Sequence, residues 1–264
     1  MNSSFGCFTL NTLLILALAL LPPSWSQAAA AQPDEDMQIL HMYYREKDLV
    51  VSPTRHPKPI SQVAENISVV TAEEIEAMNA HSVAEVLNRV TGVFVNFNQD
   101  FGAASLIFIQ ASEARNVLVL LDGVPWNFLS EGSAETNTIP VGIIERIEII
   151  KGPASSTWGS SLGGVVNIIT KAAGNTLRPE GTLRTSYGKD NSQDHRAELA
   201  GRTGPLGYYL FGGYQKSDGL GGSRDYQNPS AYSKLHLPLQ AGTDVGLSIG
   251  YSKTDIKLGE FPSQ

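Results

Sequence analysis

The residue types best suited to holding a transition metal are the five histidines, at positions 41, 56, 81, 195 and 236. None stands three or four residues from another, so no helix face carries a His pair, and no cysteine pair completes a set. A metal site is not expected. Gly152 to Gly159 (GPASSTWG) offers glycines and hydroxyls that could cradle a phosphate. It lacks the Gly-Lys-Ser/Thr ending that makes such a loop bind, and reads as a structured loop. The serines near 155–161 have no His and Asp arranged to activate them. Asp122 precedes Gly123 between two apolar runs, which marks a tight turn and not a catalytic acid. Asn66-Ile67-Ser68 is a glycosylation sequon by pattern only. Trp126 and Trp158 suit either packing or stacking on a ligand. No acid/base or nucleophile constellation emerges, so neither an enzyme nor a cofactor site is expected. One segment could act through its backbone. Asp48-Leu49-Val50-Val51-Ser52 is β-prone, and prolines at 53, 57 and 59 follow it. Those prolines forbid a helix and demote a central strand. The segment is either a loose edge strand or a peptide that adds to a partner's sheet edge.

Elements able to position these residues follow in order. Thr71-x-x-Glu74 and Ser82-x-x-Glu85 are capping boxes that predict helices over AEEIEAM and VAEVLNRV, the second stopped by Gly92. Apolar strands are predicted at Val93 to Phe97, Leu106 to Gln110 and Val117 to Leu121. Ile143 to Lys151 (IIERIEIIK) is a β-rich run with interleaved charges, and Val165 to Thr170 is a further strand. Residues 60–171 therefore read as one α+β domain. From about Gly181 the pattern changes to alternation with period two. Leu183, Thr185 and Tyr187 start it. Leu206, Tyr208, Leu210 and Tyr214 share one face, then Leu235, Leu237 and Leu239, then Val245, Leu247, Ile249 and Tyr251. With His195 to Gly201 this predicts about five strands of roughly seven to ten residues. One apolar face opposite a small or charged face fits outer-membrane strands; a soluble sandwich with one wet face is the alternative.

Composition bounds the possibilities. The chain has 264 residues, one cysteine (Cys7) and a net charge of −7. The cysteine count excludes a disulfide framework, and the acidic balance disfavours nucleic acid as a partner. Residues 1–33 carry no charged side chain, and Leu13 to Leu21 is an unbroken apolar run of nine. That is too short for a spanning helix of about 20 residues and suits a secretory signal ending near Ala28 or Ala30, although its start lacks Lys or Arg. Residues 1–30 are therefore expected to be a signal peptide and 31–59 a linker.

Four segments, taken together, resemble the TonB-dependent outer-membrane receptors. Asp48 to Val51 with Arg55 resembles the TonB box and the segment after it. Val69 to Ile75, Ala84 to Leu87 and Val90 to Val93 resemble the start of the plug. Asn116 to Trp126 (NVLVLLDGVPW) resembles the plug hairpin. Ile144 to Lys171 resembles the long plug signature, carried by Asp122, Gly123, Arg146, Glu148, Gly152, Pro153, Gly159, Gly163, Gly164 and Asn167. The spacing looks most like the cobalamin and siderophore branch. The resemblance implies an α+β plug with a small mixed sheet and short helices, followed by antiparallel transmembrane β-barrel strands. It implies the TonB C-terminal domain as a partner for Asp48, Leu49, Val50, Val51 and Ser52, outer-membrane lipid around the strands, and a small-molecule or metal-chelate substrate such as cobalamin, haem or siderophore–iron. It also implies residence in the outer membrane. Two departures stand out. Gln110-Ala111 replaces the family's usual Arg-Gly, which bears on a buried charge contact between plug and barrel, and Lys151 stands where Arg is common.

The family's barrel has roughly 22 strands, a size whose lumen holds a plug. Residues 180–264 supply about five, and closed bacterial barrels begin at about eight. This length is expected not to seal a pore by itself, because every backbone group in hydrocarbon needs a partner. The expectation is the first part of a receptor, from a truncated or split reading frame, or a chain completed by a second polypeptide or by self-association. A periplasmic binding or signalling module without transport is the competing reading.

Overall fold

The computed structural model describes residues 48–97, 105–159, 161–219, 225–239 and 243–256. The expected signal peptide, the linker as far as residue 47, Cys7, His41 and the end of the barrel segment (257–264) lie outside the described residues.

Elements appear in the order β1 (Leu49–Val50), β2 (Lys58–Pro59), β3 (Ile67–Thr71), α1 (Ala72–Ala77), α2 (Val83–Leu87), β4 (Val93–Phe97), β5 (Ser105–Ile109), β6 (Val117–Leu121), β7 (Val124–Pro125), β8 (Ile144–Lys151), α3 (Ser155–Trp158) and β9 (Gly164–Thr170). Thr71 caps α1 in both directions: its hydroxyl accepts from Glu74 N, and the Glu74 carboxylate accepts from Thr71 N. Ser82 likewise caps α2, but the returning Glu85 carboxylate takes His81 N instead. Helix α2 ends at Leu87, sooner than the apolar pattern predicts. Asn88 turns its side chain to Val95 N, and the chain then winds loosely to Gly92 at φ +82°.

Five strands form one mixed sheet in the order β3-β8-β9-β6-β7, with β6 and β9 parallel and the other pairs antiparallel. The parallel pair reads VLVLL and GVVNIIT because both its faces are covered. One face packs Ile147, Ile149, Val166 and Ile168 against α1, α2 and the β4-β5 hairpin. The opposite face carries the smaller cluster Leu120, Ile150, Ala154 and Val165, with Trp158 packed on it. Residues alternate across a strand, so Glu148 and Asn167 project on this second face.

Gln110 and Ala111 both have positive φ, +49° and +62°. A β-carbon is strained there, and glycine is not. Ala111→Gly should therefore raise stability by up to about 1 kcal/mol, the relief of strain outweighing the freedom that the unfolded chain gains. A urea midpoint that fails to rise would contradict this strain.

The second layer is an antiparallel meander of β10 (Glu180–Tyr187), β11 (Gln193–Thr203), β12 (Leu206–Ser217), β13 (Tyr226–Pro238) and β14 (Asp244–Ser252), with the short β15 (Asp255–Ile256) also on β13. Strands β11, β12 and β13 have 11, 12 and 13 residues, longer than the apolar alternation predicts. Inward polar residues such as Asp194, Glu198 and Asn228 break the apolar pattern without breaking the ladder. Pro229 sits where β13 passes from β15 to β14, so its missing N–H costs little.

The apolar face of this meander points away from the plug. Leu183, Leu199, Leu210, Leu247, Ile249 and Tyr251 are all exposed. The opposite face packs on the plug, with Tyr209, Phe211 and Tyr232 entering the main core. A soluble sandwich would bury its apolar face and wet its polar one. The reversal is that of an outer-membrane wall around a plug.

Candidate functional site

Residues 49–52 are docked on the plug. Leu49 pairs with Pro59 and Val50 with Lys58, and both apolar side chains are buried. The segment is an edge strand, paired with β2 and held against the plug. Beyond Val51 the chain turns, with Arg55 N donating to Val51 O at 2.8 Å.

Glu148 is the centre of the docking face. Its side chain is wholly buried. Oε2 accepts from Val51 N at 3.0 Å, Ser52 N at 2.8 Å and Ser52 Oγ at 2.6 Å, while Oε1 accepts from Arg146 Nε at 3.0 Å. A buried carboxylate is tolerated only when donors replace water, and three of these four come from the docked segment. Asn167, the cross-strand partner of Glu148, donates its Nδ2 to Ser52 Oγ at 3.1 Å. Helix α3 supplies the rest. Trp158 Nε1 donates to Ser52 O at 2.6 Å, Thr157 Oγ1 donates to Pro53 O at 3.2 Å, and Arg55 donates to Thr157 O. The Arg55 guanidinium also lies 4.4 Å from the Trp158 ring centre, a cation–π contact.

The turn at Asp122-Gly123 has φ of +49° and +80°, the hand that a two-residue hairpin needs. It does more than turn. Gly123 N donates to Asn167 Oδ1, and the Asp122 carboxylate accepts from Thr170 N, Thr170 Oγ1 and Lys234 Nζ of the wall. Further polar links join plug to wall, among them Arg184 to Glu76 at 2.6 Å. Lys171 Nζ meets Glu198 at 2.6 Å, and the Tyr209 hydroxyl lies 2.8 Å from Glu198 Oε2, to which it donates, and 3.2 Å from Gly142 O. His81 Nδ1 lies 2.6 Å from Asp194, which is also held by Arg196 and Gln215. Near the Trp126 loop, burial raises the Glu135 carboxyl above its ordinary range, opposed by amides of Asn137 and Ser105.

The signature residues thus divide into groups. Glu148, Arg146 and Asn167 meet residues 51–52, while Asp122 and Gly123 tie that cluster to the wall. Gly152, Pro153, Gly159, Gly163 and Gly164 shape the loop around α3. Trp158 proves to be a packing and holding residue. Sequence reasoning missed Thr157, His81, Asp194, Arg196, Glu198 and Lys234 as contacts. The alternation Asp194, Arg196, Glu198 was the available signal, since charges with period two on a strand line one face. Gln110 and Lys151, the two departures, lie close together beside Gly92.

With this geometry in view, the similarities to known proteins are informative. Residues 59–165 match the family described as TonB-dependent Receptor Plug Domain. The vitamin B12 transporter BtuB of Photobacterium profundum is 33% identical over 240 residues, covering 89% of this chain and 37% of that protein. The Vibrio vulnificus BtuB is 29% identical, covering 93% and 36%. The crystal structure of the siderophore receptor PirA from Acinetobacter baumannii aligns at TM-score 0.57 and 27% identity, over 72% of this chain and 32% of that one. The receptor FpvA of Pseudomonas aeruginosa aligns at TM-score 0.69 over 81% and 29%; at 19% identity it speaks for the fold alone. Plug and wall together define an outer-membrane receptor fold. The chain belongs to the TonB-dependent receptor family. It spans little more than a third of the length of these curated relatives.

Proposed function

We propose that the chain serves as the plug and leading wall strands of an outer-membrane receptor energised through TonB, exported by its N-terminal signal. Its substrate is a scarce, large molecule such as cobalamin, a siderophore–iron complex or haem. The B12 relatives match more of this chain, and at higher identity, than the siderophore receptor structure, which makes cobalamin the first candidate to assay.

The observation that carries the reading is the docked segment at 49–52. It is short, extended at Leu49–Val50 and held largely through its backbone. Such a segment can leave the plug and add as a strand to the TonB C-terminal domain, where main-chain hydrogen bonds supply most of the affinity. Substrate captured at the outer face favours the released state, and force transmitted through TonB then remodels the plug. The plug–wall links at Asp122, Glu198 and Asp194 keep the rest of the plug seated while the segment moves.

Backbone pairing makes a distinctive prediction. Leu49→Pro removes a donor and fixes φ, and should weaken capture of the purified TonB C-terminal domain by an order of magnitude or more. Leu49→Ala keeps the backbone and should stay within about threefold. Equal capture of the two variants in a pull-down would contradict strand addition.

A further inference from the structure

Glu148 stands on the edge-to-centre path of the plug sheet, 96 residues from the segment that satisfies it. A carboxylate inside a β-strand of a small domain normally points to water. This one is fully buried, and without Val51 and Ser52 its Oε2 would lose three donors. Ser52 is equally committed. Its N–H and hydroxyl go to Glu148, its Oγ accepts from Asn167, and its carbonyl takes the Trp158 indole. Every polar group of one residue is thus spoken for by the plug, and the side chain is 0% exposed. The neighbouring Leu49 and Val50 contribute burial, which is non-directional and lets a segment slide. The β1-β2 pairing and the contacts of Val51 and Ser52 fix its register, and those of Ser52 are the most numerous.

We propose that Glu148 is the retaining residue for the N-terminal segment, with Ser52 as its catch and Asn167 and Trp158 as the sides of the socket. The latch sets how often the segment is released in the absence of substrate. Hydrogen bonds to an ionised carboxylate are stronger than neutral ones, so Glu148 adds a directional hold to the burial of Leu49 and Val50. The socket is read from the plug alone; only the identity of the captor, TonB, rests on the function proposed above.

Amide hydrogen exchange on the whole chain in detergent tests it. Ser52→Ala removes the hydroxyl link and Glu148→Gln removes the charge. Each should speed exchange at the Val51 and Ser52 amides by roughly tenfold. Exchange in β8 and β9 should change less than about twofold. Ser52→Thr should restore most of the protection, because its hydroxyl reaches the same oxygen. Unchanged exchange at 51–52 in both variants, with β8 and β9 still protected, would overturn the latch. If Glu148→Gln instead exposes β8 and β9, Ser52→Ala and Trp158→Phe decide the matter by the same readout. A separate arm titrates a peptide of residues 48–56 against the TonB C-terminal domain. Absence of binding there removes TonB as captor and leaves the exchange result standing.

Discussion

Replacing Gly164 with alanine should lower the stability of the plug by about 3 kcal/mol or more. Two independent terms add. Gly164 has φ +144°, where a β-carbon is strained. A β-carbon there would also collide with the Ile150 carbonyl oxygen and come within 3.0 Å of the Ile109 side chain. The first obstacle is backbone in the middle of a sheet, so it cannot swing aside. The β8-β9 pair must separate or slip, and that pair carries Glu148 and Asn167. Plugs of this size have about 5–15 kcal/mol to lose, so the effect is a large share of the total. Gly159→Ala is the control. Its φ is +69° but nothing lies within 4 Å of the added atom, so it should cost only about 1 kcal/mol. Urea unfolding followed by Trp126 and Trp158 fluorescence measures both. Equal midpoints for the two variants would mean that β8 and β9 do not approach as described.

Leu210→Arg should sharply reduce insertion of the wall. Leu210 is 42% exposed, lies mid-strand in β12 between two paired neighbours, and faces away from the plug. In water an arginine at such a place is nearly free of cost. In hydrocarbon near the bilayer midplane it costs about 2–4 kcal/mol. The carbonate-resistant amount of chain in the outer-membrane fraction should therefore fall several-fold. Leu206→Arg, on the same face at the start of β12, should reduce it less. A Leu210→Arg chain that inserts as well as the original would show that this face does not meet lipid.

Much of the fold is legible from neighbours in sequence. The Thr71–Glu74 box, the left-handed pair Asp122-Gly123 and the alternation from Leu183 to Tyr251 each depend on residues within a few positions of one another. So does the family resemblance, which is a set of such local patterns in the right order. The early end of α2 is a partial exception, because Asn88 prefers to bond Val95, seven residues on. The underestimate of β11 and β13 has another cause. Strands whose inward face meets a polar plug surface do not show clean apolar alternation, and charges such as Arg196 read as breaks.

The docking site is different in kind. In IERIEIIK, Glu145 and Glu148 look alike, two carboxylates interleaved with isoleucines. One is half-buried, while the other is sealed beneath Ser52. Asn167 and Trp158 likewise carry no local mark of their partner, which lies over 100 residues away. The sequence by itself determined that a β-prone segment precedes an α+β plug, and that strands with one apolar face follow. Only the tertiary structure decided that the segment is held down, by which side chains, and which face of the wall meets the plug. Turns, caps and strand alternation are satisfied by atoms a few bonds apart, so they leave a spacing in the chain. A buried carboxylate takes whatever donors the packed sheet brings to it, and distant donors impose no spacing at all.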